Sequence, residues 1–335
     1  MIITKTPFRM SFFGGGTDLR EFFEKYEGAV LSSTFDKYCY VTVRHLPRFF
    51  DYKNQITYSR IERVSGVDAI EHPLVRNAMK YLDMHELIVT YDADLPARTG
   101  LGTSSSFAVG LLNAFHCLKG KKKDKQTLAD EAIYVERVLC NESGGLQDQV
   151  AASFGGLNRI DFKKDGYTVT PIVISEQRKK ALNDSLLLYF TGFSRFSADI
   201  QDDTKKNIGN NTETLLKMKA MVDEAEEILK DETRDLDDFG RLLDESWRLK
   251  RTTGSKISNS QIDTIYEKAL KSGALGGKLL GAGGGGFMLF YVPQEKQEGF
   301  RKEFSDLLPV PFHFENEGTA VIYYVPEEYE QEETL

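Results

Sequence analysis

The sequence predicts an α+β protein of two domains. The chain has 335 residues, and at about 150 residues per domain this length corresponds to about two domains. Its first half is rich in segments of β-branched and aromatic residues that are typical of strands. Its second half has longer charged segments with helical spacing. We place the boundary near residue 180, in the polar stretch SEQRKKALND, so that the domains comprise residues 1–180 and 181–335.

The first half is expected to contain four strand regions and three helices. The strand segments are IITKTPFRMSFF, AVLSSTFDKYCYVTVRHL, QITYSRIERV and LIVTYDADLP, the last of which ends at a proline. A weakly apolar helix is expected over residues 74–81, and an apolar helix over residues 104–118 follows a Gly/Ser loop. A third helix is expected over residues 128–140, with Thr127 and Asp130 forming its N-terminal cap.

The second half is expected to pair helices with a few apolar strands. Helical spacing occupies residues 212–230 and 236–249, while SLLLYF, GGFMLFYVP and AVIYYV read as strands. The tail PEEYEQEETL is acidic and is expected to be frayed.

The composition excludes several classes of function. Lys and Arg number 43 and Asp and Glu 51, which gives a net charge of −8, and an acidic chain is not a general binder of nucleic acid. The sequence has no signal peptide pattern and no run of 18 apolar residues, so we expect a cytoplasmic protein without a membrane segment. The three cysteines lack CxxC spacing, which argues against a disulfide framework or a zinc site. The oligomeric state stays open, and a homodimer is compatible with the sequence.

A glycine- and serine-rich loop, PARTGLGTSSS, runs directly into an apolar helix. Helix N-termini offer unpaired N–H groups and a partial positive charge, and glycines let an anion approach them closely. The loop therefore predicts a phosphate cradle. The alternative is a helix that a serine caps after a turn. The pattern is not a Walker A loop, because GxxxxGK[ST] occurs nowhere in the chain.

Two other glycine clusters are also candidate ligand-binding loops, and each has a simpler structural interpretation. GAGGGG, at residues 281–286, contains GxGxxG but leads into the strand-like FMLFYV, whereas a dinucleotide fingerprint requires a helix there. We expect it to bring a backbone loop close to a ligand, or to be a tight turn. GGGTD, at residues 14–18, follows the first strand and ends in a carboxylate. Its alternative is a cap, by Thr17 or Asp18, for a helix in LREFFEKY.

Two carboxylates occupy unusual surroundings. Glu136 projects from the apolar face of the helix expected at residues 128–140, where a carboxylate is costly unless it is paired or binds a metal. A bound Mg²⁺ and an ion pair with a cation from elsewhere both explain it. Asp148 lies among small and apolar residues in GGLQDQVAAS. Such a carboxylate could accept a proton from a hydroxyl or hold a cationic partner.

Three motifs, TPFRMSFFGGGTD, PARTGLGTSSSFAVG and KLLGAGGGGF, together resemble the three motifs of the GHMP kinases. The resemblance covers about residues 3–325, and the second motif is the most specific. SSTFDKYCYVTV, YFTGFSRFSADI and SGALGGKLLGAGGGGF are most similar to the branch of sugar kinases that phosphorylates D-glycero-D-manno-heptose 7-phosphate at its anomeric hydroxyl. The family implies a two-domain architecture, with an N-terminal ATP-binding domain like ribosomal protein S5 and a ferredoxin-like C-terminal domain.

The resemblance also implies cofactors and roles. ATP phosphates would lie on the cradle, and Ser104 or Ser105 together with Glu136 would match the family's Mg²⁺ ligands. Asp148 matches the carboxylate assigned as catalytic base, and Arg9 matches the arginine of the first motif beside it. The residues expected to form the cradle are Gly100, Leu101, Gly102, Thr103, Ser104, Ser105 and Ser106.

The acceptor site is expected to be polar. Asp18 matches a sugar-hydroxyl ligand, while Gly15 and Gly16 stand where galactokinases carry Glu and His, which leaves room for a larger sugar. Further candidate substrate ligands are Thr17, Asp36, Gly283 and Gly284.

A substrate that already carries a phosphate needs a local cationic pocket in so acidic a protein. Arg195, in a Gly/Ser-rich turn, is the preferred candidate. Its alternative role is a surface ion pair. Lys250, Arg251 and Lys256 are further candidates, although Lys250 and Arg251 could simply complement a helix dipole.

The leading hypothesis is therefore an ATP- and Mg²⁺-dependent sugar or sugar-phosphate kinase. Two alternatives remain open. One is another GHMP kinase of the fucose, galactose or mevalonate type, and the other is a non-catalytic sensor of sugar and ATP. The presence of both Asp148 and Glu136 favours an enzyme over a sensor.

Overall fold

The computed structural model describes residues 1–97, 99–192 and 208–326. Within them a nine-stranded sheet and a four-stranded sheet are joined by helices, which confirms the α+β class. The first sheet is antiparallel except where β3 pairs with β5. Its strands are β1 (Ile2–Phe13), β2 (Gly28–His45), β3 (Asn54–Thr57), β4 (Ile61–Val64), β5 (Leu87–Ala93), β6 (Leu157–Lys163), β7 (Gly166–Pro171), β12 (Phe314–Glu315) and β13 (Ala320–Tyr324).

The second sheet is antiparallel, in the strand order β11-β8-β10-β9. Its strands are β8 (Leu186–Phe190), β9 (Gly276–Leu279), β10 (Phe287–Tyr291) and β11 (Leu308–Val310). The helices are α1 (Arg20–Tyr26), α2 (Pro73–Tyr81), α3 (Thr103–Leu118), α4 (Lys125–Ile133), α5 (Gln147–Phe154), α6 (Glu176–Ser185), α7 (Ile208–Lys230), α8 (Asp237–Thr252), α9 (Ser260–Lys271) and α10 (Gln297–Glu303).

The strands and helices named from the sequence form near their expected places, with two differences within elements. QITYSRIERV forms two antiparallel strands, β3 and β4, and the helix expected at residues 128–140 is α4 followed by a π-helical turn. The predicted cap of the third helix is wrong. The N-cap is Asp124, whose carboxylate accepts the Thr127 N–H at 2.7 Å. Asp is among the best N-cap residues, so the helix begins three residues earlier than the expected start at residue 128. Asp130 instead accepts hydrogen bonds from Gln126 and Tyr167.

The end of the chain returns to the first sheet. Strand β13 pairs with β1, and β12 pairs with β2. The polar stretch near residue 180 forms helix α6, directly before the first strand of the second sheet. The boundary at residue 180 stays a prediction. In the described part of the chain, no helix is both long enough and apolar enough to cross a bilayer.

Aromatic packing fixes α8 against the first strand. Phe239 on α8 makes edge-to-face contacts with Phe12 and Phe13 of β1, with ring centroids 5.5 and 5.1 Å apart. All three rings are fully buried, and truncating one buried phenylalanine typically costs about 3–5 kcal/mol. This contact fixes the N-terminal end of α8 on β1, and the last turn of the helix carries Lys250 to the loop that follows β1.

Candidate active site

The N-terminus of α3 is open to a ligand. Its N-cap residue is Gly102, in a left-handed conformation with φ of 74°, and no side chain caps the helix. The alternative of a serine-capped helix therefore does not hold. Because the first N–H groups of a helix lack partners within it, this end can receive the oxygens of an anion. Leu101 is buried directly before it, and its carbonyl accepts the Arg9 backbone N–H at 3.1 Å.

The glycine loops of the second and third motifs pack against each other. A Cβ added to Gly281 would lie 2.3 Å from the Gly100 Cα, and a Cβ added to Gly100 would lie 2.3 Å from the Leu280 carbonyl oxygen. Both glycines have positive φ, at 81° and 84°. The third motif therefore packs directly against the predicted phosphate loop, at a distance that only glycines allow.

Asp148 and Arg9 form an ion pair beside the α3 N-terminus. The Arg9 Nε donates to Asp148 Oδ1 at 2.8 Å, and its Nη1 donates to the Gly100 carbonyl at 2.7 Å. A Cβ added to Gly102 would lie 3.5 Å from the Asp148 carboxyl carbon. The carboxylate at the start of α5 thus lies directly beside the predicted phosphate cradle.

Glu136 faces the same helix end from the opposite side. It lies in a π-helical turn, Tyr134–Leu139, that continues α4, and it is fully buried. Ser104 and Ser105 donate hydroxyl hydrogen bonds to its two oxygens at 2.9 and 2.7 Å, and the Gln149 amide donates at 2.5 Å. Turns of this kind are frequent at functional sites.

These groups fit a hard divalent cation. None of the lysines and arginines in the described ranges forms an ion pair with Glu136, so its buried charge has only neutral donors as partners. Burial, and then the charge of Glu136, raise the pKa of Glu142 nearby. Among the described residues no group of three His, Cys, Asp or Glu could hold a metal. The Glu136 carboxylate and the serine hydroxyls are oxygen ligands of the kind that Mg²⁺ prefers.

A pocket opens next to Asp148 between the two halves of the chain. Its lining includes Gly15, Gly16, Asp18, Gly145, Gln147, Leu215 and Gly281. Asp18 is buried, and its carboxylate accepts the Gly16 N–H at 3.0 Å and the Gln147 amide at 2.9 Å. Burial, and then the charge of Asp148, raise the pKa of Asp18. Asp18 does not cap α1, whose N-cap is Leu19.

Two lysines join Arg9 in this pocket. The Lys250 Nζ donates to the Gly281 carbonyl at 2.5 Å, and the buried Lys278 Nζ donates to the Phe12 carbonyl at 2.8 Å. Burial and the charge of Arg9 lower the pKa of Lys250 to about 8. Burial, and then the charge of Lys250, lower the pKa of Lys278 well below its usual value. The pocket therefore brings three basic side chains together beside the carboxylates of Asp18 and Asp148.

Two predicted ligands, Thr17 and Ser106, form hydrogen bonds to the backbone and do not line the pocket. Thr17 is buried and bonds only to the backbone, at the Gly14 and Ala29 carbonyls. Ser106 likewise donates to the Pro7 carbonyl and anchors α3 to β1. Both residues have structural roles.

Five further candidates are also outside the pocket lining: Asp36, Gly283, Gly284, Arg251 and Lys256. Asp36 accepts the His313 N–H at 2.9 Å and pairs with Lys37. Gly283 packs against Ile257, to whose carbonyl the Gly284 N–H donates. Arg195 lies outside the described residues. Arg251 pairs with Asp263, and Lys256 is exposed.

The sequence reasoning missed Lys278, Gln147 and Ser11. Lys278 is a single lysine in the strand GGKL, and a charge inside an apolar strand is the signal that could have found it. Gln147 and Ser11 adjoin predicted residues in the motifs but carry no signal of their own.

Comparison with known proteins matches both halves of the chain to kinase domains. Residues 70–156 match the model of the GHMP kinase N-terminal domain, and residues 221–309 match that of the C-terminal domain. A D-glycero-alpha-D-manno-heptose 7-phosphate kinase from Campylobacter jejuni is 32% identical, over 90% of this chain and 94% of its own length.

Two further comparisons extend this likeness. A bifunctional L-fucokinase/L-fucose-1-P guanylyltransferase from Bacteroides fragilis is 29% identical over 64% of this chain and 23% of its own length. The crystal structure of a D-glycero-D-manno-heptose 1-phosphate kinase from Bacteroides thetaiotaomicron has the same fold. It matches with a TM-score of 0.79 and 24% identity, covering 96% of this chain and 99% of that one.

Proposed function

This chain belongs to the GHMP kinase family, and we propose that it transfers the γ-phosphoryl group of ATP to the anomeric hydroxyl of D-glycero-D-manno-heptose 7-phosphate with the help of Mg²⁺. As a member of that family it is an ATP-dependent phosphotransferase with an alcohol acceptor. One observation carries the proposal. The Asp148 carboxylate lies beside Gly102, where the phosphate cradle meets a pocket of polar and cationic side chains.

ATP phosphates are assigned to the open end of α3. Gly100 and Gly102 leave the backbone free of side chains there, and their positive φ angles turn the chain into the helix. Phosphoryl transfer depends mainly on positioning and charge neutralisation. The helix N-terminus supplies both, since its N–H groups are fixed by the fold and need no rearrangement during reaction.

Magnesium would be held by Glu136 with the Ser104 or Ser105 hydroxyl, and when bound it neutralises charge on the phosphates. The Ser104 and Ser105 hydroxyls donate hydrogen bonds to Glu136. The Gln149 amide also donates to one of the carboxylate oxygens. These contacts fix the orientation of the carboxylate.

Asp148 is assigned as the general base. It accepts the proton of the acceptor hydroxyl, whose oxygen then forms a bond to the γ-phosphorus while the bond to the bridging oxygen of ADP breaks. Arg9 orients the carboxylate through Nε, and its Nη1 bond to Gly100 ties the pair to the phosphate loop. One arginine thus holds both the proposed base and the loop that is assigned to the phosphates of ATP.

The acceptor pocket suits a sugar that carries a phosphate. Asp18 and Gln147 offer hydrogen-bonding groups for hydroxyls, and Gly15 and Gly16 leave space. The lysines favour an anion. The Campylobacter jejuni relative is named for a heptose 7-phosphate, an acceptor whose phosphate would need basic side chains of this kind.

We expect Glu136→Gln to raise the Mg²⁺ concentration needed for half-maximal rate by about 10-fold or more, because the amide removes the one charged protein ligand. A Mg²⁺ titration of ADP release at saturating ATP measures this. Glu131→Gln is the matched control, since that carboxylate is also largely buried but bonds His116 instead. A folded Glu136→Gln protein with an unchanged titration would rule out the metal role.

An acceptor panel tests the proposed function. ADP release is measured with hexoses, heptoses, their terminal phosphates, fucose, galactose and mevalonate, each with Mg-ATP. We expect the highest kcat/KM with heptose 7-phosphate. A preference for mevalonate or for an unphosphorylated sugar would show that heptose 7-phosphate is not the acceptor. The absence of turnover with every compound would contradict the assignment as a kinase of this class.

A further inference from the structure

One corner of the pocket, formed by Ser11, Lys250 and Lys278, has hydrogen-bond donors that no acceptor uses. The Ser11 hydroxyl is buried at 5% exposure and lines the pocket, yet its oxygen has no hydrogen-bond partner among the described residues. Lys250 and Lys278 each donate to one backbone carbonyl and form no ion pair within the described ranges. An ammonium group has three donors, so both lysines retain capacity for a ligand.

Gly15 opens the space between these groups. A Cβ added there would lie 3.9 Å from both the Ser11 Oγ and the Lys250 Nζ, with no other heavy atom as near. A side chain at this position would therefore point at the serine and the lysine. Glycine leaves that volume to the ligand, and galactokinases carry a glutamate at the matching position of the first motif.

The carboxylates of the pocket form no ion pair with either lysine. Asp148 is paired with Arg9, and Asp18 accepts hydrogen bonds from Gly16 and Gln147. Burial and neighbouring cations lower the pKa of Lys250 more than the charges of these carboxylates raise it, and they also lower the pKa of the buried Lys278. An anion bound between the two lysines would stabilise the protonated form of both.

We propose that Ser11, Lys250 and Lys278, with the space above Gly15, form a subsite for the phosphate that the acceptor brings with it. A phosphate dianion supplies oxygens for the unused donors, and charge-assisted hydrogen bonds to it are strong. The subsite rests on the proposed function, because it orients an acceptor whose hydroxyl faces Asp148. The phosphoryl group in transfer has the same chemistry and is the other ligand that the experiment must separate.

The test compares heptose 7-phosphate with the unphosphorylated heptose. We expect Lys250→Met to raise KM for the phosphorylated acceptor by about 10-fold or more, the scale of a lost charged hydrogen bond, with little change for the unphosphorylated sugar. Binding of heptose 7-phosphate without nucleotide, measured by calorimetry, should weaken by the same factor. Lys217→Met, an exposed lysine of α7, is the matched control.

Gly15→Glu provides a second variant that does not remove a buried cation. The position has no positive φ and no close neighbour, so the fold should tolerate it. The new carboxylate would pair with Lys250 and repel the phosphate. The side chain takes space from both acceptors, but its charge opposes only the phosphate, so we expect kcat/KM for heptose 7-phosphate to fall at least 10-fold further than kcat/KM for the unphosphorylated heptose.

Two results would overturn the subsite and leave the proposed kinase activity standing. One is an equal loss of kcat with both acceptors in Lys250→Met, which would place the lysine on the phosphoryl group in transfer. The other is unchanged calorimetric binding of heptose 7-phosphate in both variants. Failure of the wild type to phosphorylate any acceptor would instead reject the proposed function itself.

Discussion

Asp148→Asn should lower kcat by about 100-fold or more while leaving the affinity for ATP unchanged. An amide cannot accept the hydroxyl proton, and loss of a general base usually costs 10²–10⁴-fold. The change keeps the size of the side chain and an oxygen for the Arg9 Nε, which now donates at 2.8 Å. ATP should bind as before, because its assigned phosphate site is the N-terminus of α3. Steady-state kinetics and nucleotide calorimetry measure the two quantities.

The matched control is Asp161→Asn. Asp161 also pairs with an arginine, Arg159 on β6, but it lies outside the pocket lining. We expect its kcat to stay within about two-fold of wild type, since partly exposed ion pairs contribute little even to stability. If Asp148→Asn behaves like this control, Asp148 is not the base.

Gly281→Ala should have the largest structural effect. The added Cβ would lie 2.3 Å from the Gly100 Cα, and the backbone there has φ of 81°. Overpacking costs about 1–3 kcal/mol and a left-handed alanine about 1–2 kcal/mol, so we expect the free energy of unfolding to fall by about 2–5 kcal/mol. The displaced phosphate loop should also bind ATP at least 10-fold more weakly.

Gly120→Ala separates the two causes. Gly120 has a similar φ of 67° but no heavy atom within 4 Å of the added Cβ, so it carries only the conformational cost, about 1–2 kcal/mol. Denaturant unfolding and ATP calorimetry compare the variants. Equal losses at both glycines would show that the contact between the loops is unimportant.

Much of the fold could be predicted because apolar periodicity and glycines determine it locally. Strand β1 and helix α3 form almost where the pattern places them. The long pairing of β2 with β1, β5 and β6 could not be predicted, since it depends on residues far apart in sequence. The polar stretch at which we place the domain boundary forms helix α6, which its residues do not indicate because a polar helix and a linker have similar compositions.

The site could be predicted where a residue violates its local pattern. Glu136 was found as a carboxylate on an apolar face, and it is fully buried. Lys250 is a candidate phosphate ligand from the sequence, but the helix dipole explains a cation at a helix end equally well. Only the packing of α8 on β1 brings it to the pocket. Asp36 has the same chemistry as Asp18, and only strand pairing shows that its carboxylate bonds His313.

Phosphorus NMR of the reaction product tests the central claim most directly. The enzyme is mixed with Mg-ATP and D-glycero-D-manno-heptose 7-phosphate, and the spectrum is followed with time. We expect ADP to appear together with a second sugar phosphate signal coupled to the anomeric proton, while the 7-phosphate signal remains. A new phosphate coupled to any other sugar proton, or ADP formed with release of inorganic phosphate alone, would contradict the account.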